Sequence, residues 1–263
     1  MLATTLFTTL ALLASASAAP QWGPYRDWSK NGNNDNQGNS YSANGDKASQ
    51  DYGYEVAGMG GSSNDSAWSG GAIVAPPTGF TLPLPPNQSN LTMPAGQSVT
   101  IATVSRGVQN YTCTSGAWVS DGALANLYDA GLLLALTENV APAEKVTDGL
   151  APLFLAAQSF PSNNPAPTLQ HEFVATPNKP GSISPRFFNP NTGDTVTLAK
   201  VGTIPSPDNS TADVTWLQLQ AIEGNLAKSV FRLQTAGGQP SGGSCAEGTQ
   251  ASVDYAAMYY FLS

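Results

Sequence analysis

Few side chains in this sequence can do chemistry. Two cysteines, Cys113 and Cys245, and one histidine, His171, stand among 263 residues. A thiol becomes a nucleophile when a base sits beside it, so a Cys113–His171 dyad is one arrangement these residues allow. A cystine is the other. Two cysteines in an exported chain pair far more often than they stay free, so a Cys113–Cys245 disulfide is expected. It would close a loop of well over a hundred residues, worth up to about 5 kcal/mol in the chain-entropy model.

The remaining motifs are conspicuous by their absence. One histidine cannot make a histidine-based metal cluster, and "HEFVA" at 171–175 lacks the second histidine of a zinc helix. There is no G-x-S-x-G elbow, no phosphate-binding loop and no G-x-G-x-x-G after a strand. No metal and no cofactor is therefore expected, and no motif names a catalytic residue. Carboxylate pairs for glycoside hydrolysis come from distant positions and carry no motif. Their candidates are Asp121, Asp129, Glu172, Asp194, Asp208, Asp213, Glu223 and Asp254. Most are flanked by Gly, Pro, Asn or Ser, the setting of turn and capping residues. Asp254 lies in an apolar strand and reads as a buried, partnered carboxylate. His171, Glu172 and Asp254 together form the candidate polar site.

Positioning these groups falls to a β-rich body. Strands are expected at 98–104, 108–114, 195–200, 214–221, 229–234 and 252–262. "VTWLQLQA" shows the period of two well, with Leu217, Leu219 and Ala221 on one face and Gln218 and Gln220 on the other. "ALANLYDAGLLLAL" (123–136) and the stretch 148–157 carry helix-favouring residues and are expected to form one or two short helices. The fold class is mainly β, a compact sandwich or barrel, preceded by a disordered N-terminal segment. In "GVQNYTCTSGAW", a strand would put Asn110 and Thr112 on one face and Tyr111 and Cys113 on the other. A glycan on Asn110 would send Tyr111 and Cys113 inward, with Val108 outward unless a bulge at Gly107 resets the register.

The first eighteen residues fit a secretory signal: an apolar run, then Ala16-Ser17-Ala18. Residues 19–75 are rich in Gly, Asn, Ser and Tyr and too poor in aliphatic residues to offset their ordering entropy. Their aromatic residues, Trp22, Trp28 and Trp68 among them, suit either a spacer or glycan stacking. The β-rich domain is assigned to 76–263. No later stretch is apolar enough to span a membrane with a helix. Asn64, Asn87, Asn90, Asn110 and Asn209 are glycosylation acceptors in sequence. Net charge is −8, with Lys and Arg scattered singly, which argues against nucleic acid. The expected setting is extracellular, either free or associated with the cell wall, for a glycoprotein.

These residues together resemble a known family. "GVQNYTC", "ALANLYDA", His171-Glu172-Phe173, "VTWLQLQA", "VFRLQTAGGQPSGGSCAEG" and "VDYAAMYYF" are similar to the fungal, secreted branch of domain of unknown function family 3455. The resemblance covers about Pro76 to the C-terminus and implies a compact β-rich domain carrying the two cysteines. Fungal members are often labelled malate dehydrogenase, and this sequence has no dinucleotide-binding motif to support that label. The bacterial Gly-Pro-x-Trp and Asp-Gly-Ser segment is replaced here by "ATPNKPGSISPRFF". The leading functional expectation is a binding or structural protein of the cell wall or extracellular space, leaning away from an enzyme. Wall polysaccharide and host surface glycans are its candidate partners. The alternative is an extracellular hydrolase of carbohydrates using a carboxylate pair.

Overall fold

The computed structural model describes residues 72–157, 167–208 and 211–263. The signal-like segment, almost all of the polar segment after it, and the acceptors Asn64 and Asn209 lie outside the described residues.

Eight antiparallel strands, each hydrogen-bonded to its sequence neighbours, close into a barrel through the β1–β8 pair. They are β1 (Val99–Thr114), β2 (Ala117–Asp129), β3 (Leu169–Ala175), β4 (Ile183–Phe188), β5 (Thr195–Ile204), β6 (Trp216–Gly224), β7 (Ser229–Gly237) and β8 (Gln250–Leu262). Among the described residues, three short helices, α1 (Gly131–Thr137), α2 (Ala143–Asp148) and α3 (Leu150–Ala156), fall between β2 and β3. Closure leaves the sheet without an edge strand. No helix among the described residues is long and apolar enough to cross a membrane.

The alternation of side chains sorts each strand into a lumen face and an outer face. In β8, Tyr255, Ala257, Tyr259 and Phe261 join the lumen core with Ile101, Leu127, Leu169, Phe187, Val196, Leu198 and Val230. Met258, Tyr260 and Leu262 point outward into a second core. There they are covered by the lead-in residues Phe80, Leu82 and Leu84, by Leu91, and by the helices through Leu134 and Phe154. Covered on both faces, β8 reads as a continuous apolar run from Tyr255 to Leu262, and all eight of those residues are buried.

Two expected strands, 98–104 and 108–114, are one. β1 runs unbroken past Gly107, where a Cβ would overlap the Leu124 carbonyl of β2. Glycine is needed there for close backbone approach. The register with β8 is continuous from Ile101 to Thr112, and the shift against β2 lies between Asn110 and Tyr111. Val108 therefore stays on the outer face with Asn110, and Tyr111 and Cys113 turn inward and are buried.

The helix expected at 123–136 is overturned in its first half. Residues up to Asp129 belong to β2, where Ala123, Ala125 and Leu127 enter the lumen at period two. Pairing with β1 and β3 overrides the helical propensity of Ala and Leu. The helix begins only at Gly131, where a Cβ would collide with the Val74 carbonyl of the lead-in. Asp129 closes this corner, its carboxylate accepting from Val74 N (3.1 Å) and Leu132 N (3.3 Å). The second helical expectation corresponds to α3, and α2 precedes it.

Candidate functional site

The antiparallel registers give the lumen two unlike ends. At the lower end, where β8 finishes, the side chains are apolar: Ile101, Val196, Leu198, Val230 and Phe261. At the upper end, where β1 turns into β2, they are polar: Gln109 and Tyr111 from β1, Tyr255 from β8, and the side chain of Arg232, which is rooted opposite Tyr259 on β7 and reaches the Thr215 carbonyl just before β6. His171 on β3 lies between the two ends.

Each polar side chain reaches this end because its strand alternates. Gln109 and Tyr111 share the β1 face that carries Ile101 below and Cys113 above. Arg232 lies opposite Leu217 and Tyr259, both packed with the lumen core, and two residues from Val230. Its Nε and Nη2 donate to the Thr215 carbonyl at 3.2 and 2.9 Å. The Tyr111 hydroxyl donates to the Gly238 carbonyl at 2.7 Å. Strand ends supply this rim, with Asp213 bridging to Gly238 and accepting from Gly237 N at 2.6 Å. Gly238 has a positive φ of 93°, and a Cβ there would press on Val214, Tyr255 and Gln109. The Tyr255 and Tyr259 hydroxyls are 3.2 Å apart. Gln109 lies near enough to Tyr255 to favour its ionised form, yet its Nε2 makes no well-formed hydrogen bond.

Burial governs the electrostatics. It raises the Tyr111 hydroxyl pKa and lifts Tyr255 well above the ordinary phenol value, with Arg232 acting in the opposite sense on both. Burial likewise lowers His171 from 6.5 to about 4, and the Arg232 charge pushes the same way. His171 Nδ1 lies 3.0 Å from the Arg186 carbonyl. A carbonyl only accepts, so Nδ1 carries the proton and Nε2 is the acceptor. The ring stacks on Phe187 at 4.3 Å and lies 5.9 Å from Tyr259.

The structure separates the three residues of the candidate polar site. His171 faces the lumen, but the neighbouring Glu172 faces outward and pairs with Arg186 across β3 and β4. Asp254 is exposed on β8 and is not the buried, partnered carboxylate its apolar setting suggested. Strand parity separates them: one step along β3 reverses the face, and β8 is covered only from Tyr255 onward. Cys113 and Cys245 form a disulfide, so the Cys113–His171 dyad does not exist.

That disulfide belongs to the upper end. Cys113 N donates to the Thr249 carbonyl, Gly248 N to the Cys113 carbonyl and Cys245 N to the Gly116 carbonyl. The β7–β8 connection is thus laced to the β1–β2 hairpin. The other carboxylates serve local structure. Asp121 accepts from the Thr112 hydroxyl and Asp194 from Thr192 and Asn225, bonds that lower the Asp194 pKa. Among the described residues no group of three or more His, Cys, Asp or Glu is placed to hold a metal ion. Of the asparagines expected in sequence to accept glycans, Asn87 and Asn90 are exposed, and half-buried Asn110 lies on the outer face of β1.

Residues 94–263, well over half of the chain, match the family model described as Protein of unknown function (DUF3455). The chain belongs to this family. It matches no curated protein and no solved structure. The family match spans the whole barrel, and so every residue of the polar upper lumen lies inside it.

Sequence reasoning missed Gln109 and Arg232. A signal existed for each. Arg232 is the one charge in "SVFRLQTAG", a strand whose first eight residues are all buried. Gln109 has the same parity as Tyr111 and Cys113. The same reading that sent those two inward carries Gln109 with them.

Proposed function

We propose that this protein is an extracellular glycoprotein that binds wall polysaccharide or surface glycans, and that its barrel is a stapled scaffold for that binding. The use made of its carboxylates carries the reading. Glu172 is committed to Arg186, Asp129 to the Val74–Leu132 corner, Asp213 to Gly237 N and Asp194 to its turn. A glycosidase needs two carboxyls about 5–10 Å apart across a bond. The two whose pKa burial raises, Asp129 and Asp213, lie at opposite ends of the barrel. The disulfide adds support, because such bonds persist in oxidising compartments. The acceptors Asn87 and Asn90, exposed in the lead-in, suit the same export route, and a net charge of −8 suits a partner other than nucleic acid.

The test is a pull-down of the secreted full chain on wall fractions and arrayed glycans. Retention should survive Asp121→Asn, Asp194→Asn and Asp254→Asn, each made singly. Release of a soluble sugar product from any fraction, abolished by one such change, would replace binding with hydrolysis.

A further inference from the structure

Arg232 and Gln109 both face the upper lumen: Arg232 bonds the Thr215 carbonyl, and Gln109 packs at Gly238, which lies against Val214, the neighbour of Thr215. Arginine carries five N–H donors. The Thr215 carbonyl takes Nε–H and one from Nη2, which leaves three, including the end-on fork of Nη1 and Nη2. Among the described residues no carboxylate forms an ion pair with Arg232, although the side chain is only 8 % exposed. A charge so nearly removed from water is costly unless an opposite charge and further acceptors meet it. Gln109 is 5 % exposed, and its buried Nε2 approaches the Tyr255 hydroxyl but makes no well-formed hydrogen bond. Leaving such a donor unpaired in the interior carries its full desolvation penalty.

The surroundings supply a chemical class. The Arg232 charge lies close enough to Tyr111 from β1, His171 from β3 and Tyr255 from β8 to bear on each. His171 is neutral near pH 7, which makes Arg232 the single positive charge of this group. One charge with a planar fork, beside one neutral amide donor, matches a carboxylate better than a dianionic phosphate. Arg232, Tyr111 and Gln109 keep 8, 7 and 5 % exposure, against 1 % for Tyr259 deeper in the barrel.

We infer that the upper lumen, formed by Arg232, Gln109 and Tyr111, is a binding site for a single carboxylate group of a small organic acid or a sugar acid. The end-on edge of Arg232 takes the two carboxylate oxygens, and Gln109 Nε2 donates to one of them. This inference goes beyond the glycan-binding reading and does not depend on it.

The experiment is thermal melting of the secreted full chain, titrated with acetate in one arm and glucuronate in the other. Chloride at equal ionic strength and inorganic phosphate serve as comparisons. At several times its Kd, a carboxylate should raise Tm saturably by about 2–4 °C. The stronger of the two arms identifies the source as a free small acid or a sugar acid. Arg232→Met should abolish the rise, and Gln109→Leu, which keeps the charge, should weaken affinity at least threefold. If Arg232→Met does not fold, Gln109→Leu decides alone. The site is refuted if neither carboxylate gives a saturable shift, if phosphate acts more strongly than both, or if affinity is unchanged in Gln109→Leu.

Discussion

The two ends of the lumen are built from the same strands and obey the same alternation, yet they solve burial differently. The lower end is filled by Phe187, Phe261, Val196, Leu198 and Val230, each fully buried. Phe187 meets Phe261 edge-on at 5.2 Å and Tyr259 at 5.1 Å. The upper end holds Tyr111 and Arg232, tied to backbone carbonyls at the rim, together with Gln109, and the disulfide binds the β7–β8 connection to the β1–β2 hairpin there. Apolar packing is non-directional and needs only volume and shape. Polar burial needs a partner for each atom, and the upper end draws on strand ends to supply them for Tyr111 and Arg232 but not for Gln109 Nε2. Stability is thus concentrated below, and adaptability toward a ligand above.

The largest effect should come from emptying the lower end. Phe187→Ala should cost about 3–5 kcal/mol in urea unfolding, since a large side chain with 0 % exposure leaves a cavity. A cost under 1 kcal/mol would mean the lower lumen is not the stable end. Removing the staple, with Cys113→Ala and Cys245→Ala together, should cost about 2–4 kcal/mol. Hydrogen exchange should then rise first in the β7–β8 connection and the β1–β2 hairpin. A uniform rise would erase the distinction between the ends.

The next test lies at the boundary. The folded His171 pKa, about 4, is below its ordinary 6.5, so between these values the unfolded chain binds a proton that the folded barrel does not. Stability from the neutral ring is complete above pH 6.5 and falls with pH, by about 3 kcal/mol once pH is below 4. Tyr259 and Arg232 face this ring, and the positive charge of Arg232 reinforces the effect. Carboxylates titrate in the same range, so the measurement is a difference. Between pH 7 and 4 the natural chain should lose about 3 kcal/mol more than His171→Gln. Parallel losses would place His171 in contact with solvent. The smallest effect should be Gln109→Leu without ligand, within about 1 kcal/mol of neutral, because it removes a donor that lacks a partner. A loss of 3 kcal/mol would assign that amide a structural bond and make the upper end as fully packed as the lower.

Much of this barrel was legible residue by residue. The period of two in "VTWLQLQA" placed Leu219 in the lumen with Leu217 and Ala221 packed against it, and the parity around Asn110 sent Tyr111 and Cys113 inward. Two cysteines in an export-like setting gave the disulfide. The candidate site was less legible. His171 and Glu172 are adjacent in sequence but occupy opposite faces. Asp254 ends up in solvent because cover over β8 begins one residue later. The stretch 123–129 has the composition of a helix, and only its pairing with β1 and β3 makes it a strand.

The amino-acid sequence by itself determined the class of fold, the cysteine pair and the inward parity of the β1 signature, because these rest on local alternation and on the scarcity of alternatives. Tertiary structure alone decided that the sheet closes into a barrel and that Gln109 of β1 and Arg232 of β7 face the same lumen. No local pattern carries the register between strands more than a hundred residues apart. That register is set by which faces can be buried together, and it turned a lone arginine in an apolar strand into one side of a site.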